Sequence, residues 1–119
     1  MKKVLIVEDS PAMAGTLKDN IAQAGYEVHV AHNGFEALRD LEALQPDLVI
    51  SDINMPKLDG LKLIMGIRNR LETRDIPFIL LSSQFDPRTL ETGKKLGARF
   101  FIAKPFKMDY VLECVKKIL

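Results

Sequence analysis

Five short apolar runs, each followed by a longer amphipathic segment, limit this chain to very few architectures. The runs are Val4 to Val7, Val28 to Ala31, Leu48 to Ile50, Phe78 to Leu81 and Phe100 to Ile102. They are apolar throughout rather than alternating, which suits strands buried on both faces. Between them the spacing changes to that of a helix. After Pro11, Met13, Leu17, Ile21 and Ala24 recur, and Gly25 ends the segment. From Phe35 onward, Ala37, Leu38, Leu41 and Leu44 form a stripe that stops before Pro46. Leu61, Ile64, Ile67 and Leu71 follow Gly60; Pro87 opens a segment carrying Leu90 and Leu96; Met108, Val111, Leu112, Val115 and Ile118 form the last stripe. Proline near a helix start and glycine after its end are the expected boundary residues. Five β-α units with right-handed crossovers predict an α/β fold, a doubly wound five-stranded parallel sheet of order 2-1-3-4-5. The first and fifth helices are expected on one face and the second, third and fourth on the other.

The 119 residues suit one domain, expected to span residues 1–119. A formal net charge of +1 excludes a global field that would attract nucleic acid or a membrane surface. Cys114 is the single cysteine, so no internal disulfide can form, and a reducing, cytoplasmic setting is the simple expectation. The apolar stretch after Lys2-Lys3 stops at Glu8, too soon for a signal-peptide core. No stretch approaches the roughly 20 apolar residues of a membrane helix.

In open parallel sheets, ligands bind beyond the carboxyl ends of the strands. Glu8 and Asp9 follow the first run. Asp52 ends the third and is followed by Asn54, Ser82 and Ser83 end the fourth, and Lys104-Pro105-Phe106 follows the fifth. Carboxylates meeting at one edge repel one another and require a cation. The donors are all oxygens, with no His or Cys among them, which selects a hard divalent ion. Mg²⁺ is preferred because it keeps several waters and is commonly held by a few carboxylates plus a phosphate. Lys104 and Ser82 are superfluous for the metal. They suit an anion that joins it, as a point charge and a hydroxyl donor. A nucleophilic carboxylate, a metal, a lysine and a hydroxyl are the parts needed to form an aspartyl-phosphate on Asp52.

These residues lie in motifs that resemble the response-regulator receiver domain of the chemotaxis-regulator type. The motifs are Val4-Leu5-Ile6-Val7-Glu8-Asp9, Asp47-Leu48-Val49-Ile50-Ser51-Asp52, Asn54-Met55-Pro56 with Asp59-Gly60, Pro77 to Ser83, and Gly97-Ala98 with Lys104-Pro105-Phe106. The resemblance runs from Lys3 to Leu119, and the order and spacing are specific where each motif alone is weak. It implies a flavodoxin-like (βα)5 sandwich acting in a two-component phosphorelay. Asp52 is then the phosphoacceptor, and Glu8, Asp9, Asp52 and the backbone carbonyl of Asn54 are the Mg²⁺ ligands. Lys104 pairs with the phosphoryl oxygens, Ser82 is the switch hydroxyl, Phe101 the switch aromatic, and the Lys104–Pro105 bond is cis. The implied partners are a sensor histidine kinase or a histidine phosphotransfer domain, and a downstream effector meeting the fourth helix, fifth strand and fifth helix. Direct nucleic-acid binding, membrane insertion and catalysis beyond its own phosphorylation and dephosphorylation are not expected.

The sequence departs from the family pattern in having Glu8 where many relatives have Asp, Ser82 where Thr is commoner, Ser83 where Ala or Gly is usual, and Phe101 without a hydroxyl. The longer arm of Glu8 bears on how directly it reaches a metal. Asn54 and Gln84, neutral amides beside the path of attacking water by the same resemblance, imply moderate self-dephosphorylation.

Bland readings compete elsewhere. Glu8 and Asp9 could cap the first helix. Asp59 reads as a capping acid, Asn33-Gly34 as a turn, Met55, Met65 and Cys114 as packing residues, and His29 and His32 as lying away from the site. The Lys94-Lys95 and Lys116-Lys117 pairs read as solvated. Gly15, mid-helix, costs about 0.5–1 kcal/mol relative to Ala, and with Ala12 and Ala14 could offer a flat patch to a partner histidine. Gly93 and few apolar residues make the fourth helix a weak element. A flavin carrier would want phosphate-binding N–H donors where Glu8-Asp9 stand. A degenerate receiver would lack an acid, Asp52 or Lys104, and an Asp-dependent phosphohydrolase would carry an acid at position 54.

Overall fold

The structure, a computed structural model, describes residues 1–55 and 57–119; Pro56, part of the loop motif after Asp52, lies outside the described residues. In chain order the elements are β1 (Lys3–Val7), α1 (Pro11–Gln23), β2 (Glu27–Ala31), α2 (Gly34–Leu44), β3 (Leu48–Asp52), α3 (Gly60–Arg68), β4 (Phe78–Ser82), α4 (Pro87–Lys95), β5 (Ala98–Ala103) and α5 (Met108–Ile118). The sheet order is β2-β1-β3-β4-β5, every neighbouring pair parallel, as the alternation predicts.

Two cores flank the sheet. Val4, Ile6, Leu48, Ile50, Ile79 and Leu81 point toward Leu17 and Ile21 of α1 and Val111, Cys114 and Val115 of α5. Leu5, Val7, Val49, Phe78 and Leu80 point the other way, toward α2 and α3, with Phe101 and the end of α4 packed alongside. Alternate residues of one strand serve opposite cores, so the central strands must be apolar throughout. Burial on both faces holds for β1, β3 and β4 apart from Lys3, but not for the edge strands β2 and β5.

The helix starts follow local chemistry. Ser10, Asn33, Asp59 and Asp86 each accept a hydrogen bond from the N–H three residues on, at 3.3, 2.9, 2.9 and 2.8 Å. Asp59 is thus a cap, and Asn33-Gly34 is the start of α2. Three apolar expectations fail: Ala24, which closes α1 as its C-cap, is exposed. α3 ends at Arg68, so Leu71 is not part of its stripe and is 77% exposed. There the Thr73 hydroxyl donates to the Ile67 carbonyl at 2.8 Å, satisfying an orphan helix acceptor by a turn instead of further helix. Met65 is half-exposed, because Leu63, Ile64 and Ile67 already form the inward face of α3. Cys114 is buried, and Lys94, Lys95, Lys116 and Lys117 are exposed, as expected.

Three contacts fix helices and loops against the sheet. Arg68 donates to the carbonyls of Leu96, Arg74 and Ile76 at 2.8, 2.9 and 2.6 Å and lies over the Phe78 ring, tying the end of α3 to the α4–β5 turn. Gly93 is the buried residue of α4, and a Cβ there would stand 2.7 Å from the Phe101 ring. Gly60 faces backbone: a Cβ would stand 2.6 Å from the Asp52 carbonyl oxygen and 2.9 Å from Ile53 Cα. Its N–H donates to the Ile53 carbonyl at 2.9 Å, folding the loop back onto the end of β3.

Gly60→Ala is therefore expected to destabilise the fold by about 1–3 kcal/mol, because rigid backbone cannot yield to the added methyl. Gly15→Ala, whose Cβ meets nothing within 4 Å, should stabilise it by about 0.5–1 kcal/mol. Urea unfolding of the two variants checks the opposite signs.

Candidate functional site

The carboxyl ends of β1, β3, β4 and β5 bring Glu8, Asp9, Asp52, Asn54, Ser82 and Lys104 to one edge of the sheet. Glu8 follows β1 directly. Its N–H continues the β1–β2 ladder to the Ala31 carbonyl at 3.0 Å, which turns the side chain inward, where it is 1% exposed. Ser10, not Glu8 or Asp9, caps α1; Glu8 Oε2 instead accepts the Ser10 N–H at 3.1 Å.

Lys104 holds the two buried carboxylates together. Its Nζ donates to Glu8 Oε1 at 3.1 Å and to Asp52 Oδ2 at 3.0 Å. Its backbone N–H donates to the Ser82 carbonyl at 2.9 Å, and the Lys104–Pro105 peptide is cis. The other oxygen of Asp52, Oδ1, accepts the Asn54 N–H at 3.3 Å. Asp9 stands outside this ion pair at the exposed rim. One oxygen from each of Glu8, Asp9 and Asp52 lies within 4.8 Å of the others. That all-oxygen set fits a hard divalent ion, with Asp9 on the solvent side.

Burial pushes the Glu8 carboxyl above its ordinary value of 4.5, and a hydrogen bond with the Asp9 side chain and repulsion from Asp52 add to this, while the Ser10 N–H and Lys104 pull it back. Burial pulls the Lys104 ammonium down, but its bonds to Asp52 and Glu8 outweigh this and leave it raised.

Ser82 is fully buried, and its hydroxyl is bonded to the backbone of Gln84 and the side chain of Asn54. Phe101 lies apart from the charged cluster, on the α4 side of the sheet. Its ring meets Phe85 edge-on, centroids 5.6 Å apart. Phe85 was not singled out from the sequence. Its place before the capping Asp86 is a readable signal, since an apolar residue there commonly staples a helix start. His29 pairs with Glu27 at 2.7 Å, and both histidines are exposed and outside the cluster. No helix among the described residues is long and apolar enough to cross a membrane.

The Glu8 shift sets a pH dependence. A carboxyl raised on folding contributes stability that is fully present below 4.5 and is lost as pH rises through its raised value. In chelator, Glu8→Gln is expected to be more stable than the parent at pH 8, the gap closing as pH falls toward 4.5. Urea midpoints across that range measure it; a gap that widens on acidification would contradict it.

A family model for the response regulator receiver domain matches residues 4–116. The sensory transduction protein BceR of Halalkalibacterium halodurans is 34% identical over 119 residues, covering 100% of this chain and 50% of that protein. The chain thus spans about half the length of the curated relatives it matches. Among solved structures, chemotaxis protein CheY4 of Vibrio cholerae superposes with a TM-score of 0.94 at 32% identity, covering 100% of this chain and 99% of that one. Response regulator TrrA of Thermotoga maritima, solved in complex with Mg²⁺–BeF, gives 0.88 at 36% identity, with both chains fully covered. Family match, sheet order and relatives agree: the chain belongs to the response regulator receiver domain family.

Proposed function

We propose that residues 1–119 form a receiver unit that accepts a phosphoryl group on Asp52 from a phosphohistidine of a sensor kinase or histidine phosphotransfer domain. The observation that carries this reading is Lys104 Nζ bonded to both Asp52 and Glu8 at the sheet edge. An ammonium held against a carboxylate by a second, buried carboxylate stays in place when the first becomes an acyl phosphate. It is then free to face the phosphoryl oxygens.

An Asp52 oxygen attacks phosphorus, the O–P bond forms as the donor N–P bond breaks, and the imidazole nitrogen leaves with the electron pair. Glu8, Asp9, Asp52 and the Asn54 carbonyl are the residues to hold Mg²⁺, which when bound neutralises charge on the transferring group. Ser82 then donates to a phosphoryl oxygen. The change passes through the loop after β4 to Phe101, α4, β5 and α5, the face offered to a downstream effector. A cytoplasmic setting, a protein effector rather than direct nucleic-acid contact, and a switch that turns over only its own phosphoryl group belong to the same reading. Gly15 remains open beside the acidic edge, with no packing role that excludes a side chain there, which suits approach of a partner imidazole.

Incubation with a small phosphodonor and Mg²⁺ should add one phosphoryl mass to the chain. Asp52→Asn should add none, and chelation should stop the reaction. Full labelling of Asp52→Asn by intact mass would place the acceptor elsewhere.

Beryllofluoride with Mg²⁺ should change hydrogen exchange across residues 82–106, including α4. A response confined to α1 and α2 would remove the proposed output face.

A further inference from the structure

The Ser82 hydroxyl has no bonding capacity to spare. Its one proton goes to the Gln84 carbonyl, with Oγ and O 2.7 Å apart. Its two acceptor positions take the Gln84 N–H and the Asn54 side-chain amide, each at 3.1 Å. One proton and two lone pairs are all that a serine hydroxyl has. Because the proton is committed to Gln84, Asn54 must present its N–H to Ser82, which settles the orientation of the amide. The Asn54 main-chain N–H meanwhile donates to Asp52 Oδ1 at 3.3 Å. One residue therefore touches the acceptor carboxylate with its backbone and the hydroxyl with its side chain.

We infer that Asn54 is a positioning residue whose side-chain amide holds Ser82 Oγ in its resting place, so that an arriving phosphoryl group, which needs the proton now given to Gln84, draws the hydroxyl away from Asn54 as well. The inference rests on the reading of Asp52 as the phosphoacceptor. It ties together two residues that otherwise look like separate neighbours of the water path, since Asn54 and Gln84 saturate the same oxygen. Gln84 is followed by Phe85, whose ring contacts Phe101, so freeing the hydroxyl also frees the loop that leads toward α4. A contact made only in the resting state opposes the bound state by its own free energy. Ser82 is buried but Asn54 is exposed, which places this neutral hydrogen bond at the weak end of its range. Its loss then corresponds to roughly a two- to fivefold change in an equilibrium constant.

The test is beryllofluoride binding at saturating Mg²⁺, by titration calorimetry, to the parent, Asn54→Ala, Ser82→Ala and the double variant. Alanine keeps the main-chain carbonyl and N–H of position 54, and Mg²⁺ affinity is measured separately. With Mg²⁺ saturating in each protein, Asn54→Ala is expected to bind beryllofluoride roughly two- to fivefold tighter. In the Ser82→Ala background the same change should have no effect. In metal-free protein, Asn54→Ala should also shift the Gln84 amide resonance and lower its protection from exchange. The inference fails alone if the parent binds but Asn54→Ala gains nothing, if the gain persists without the Ser82 hydroxyl, or if the Gln84 amide is unmoved. A parent chain that binds no beryllofluoride removes the phosphoacceptor reading and this inference with it.

Discussion

Two carboxylates buried at one edge of a parallel sheet set the terms for everything around them. Glu8 and Asp52 are almost fully enclosed, and burying two carboxylates side by side is costly without a cation in direct contact. Lys104 supplies it from a strand end 96 residues from Glu8 and 52 from Asp52 in sequence. β5 lies two strands from β3 and three from β1, and neighbouring strands are roughly 4.8 Å apart. Only a long, flexible cation crosses that gap, and the extra methylene of Glu8 shortens it from the other side. The ends of β1, β3 and β5 must therefore stay aligned, which gives the close turn at Gly60, packed against the end of β3, a role in the site as well as in the fold.

The charged edge and the α4 face are joined by a short stretch of chain. Ser82 ends β4, its hydroxyl holds Gln84, Phe85 lies against Phe101, and the Phe101 ring fills the space left by the missing Cβ of Gly93. Within α4 only Gly93 is buried, so the helix rests on the sheet through a narrow contact, consistent with a low cost for shifting it. Read from the sequence, Gly93 weakens a helix; in the fold it is also what lets the helix sit down on an aromatic ring.

Much of this was legible in the chain itself. Apolar runs short enough for strands, each followed by a helical stripe, led to the parallel sheet and its order. Chain order and charge alone brought Glu8, Asp9, Asp52, Ser82 and Lys104 to one edge, because residues just past parallel strands must emerge together. Leu71 and Met65 misled because a helical stripe reports only potential burial. Whether the helix continues, or which flank is already filled, depends on partners such as Thr73 and Leu63.

Periodicity, caps and the positions of ionisable residues thus determined the architecture and the membership of the site, since these depend on local backbone preference and on connectivity. Tertiary structure alone decided how those residues are used. The register between β4 and β5 slips at Phe78 and Ile79, passing over Arg99, so that Phe101 rather than Phe100 faces the α4 side. Simple alternation from Ala98 would have chosen the other ring. The bonds joining Asn54, Ser82 and Gln84 likewise depend on distances of a few tenths of an ångström between β3 and β4. Those distances are set by how the two cores pack, and no one-dimensional pattern records them.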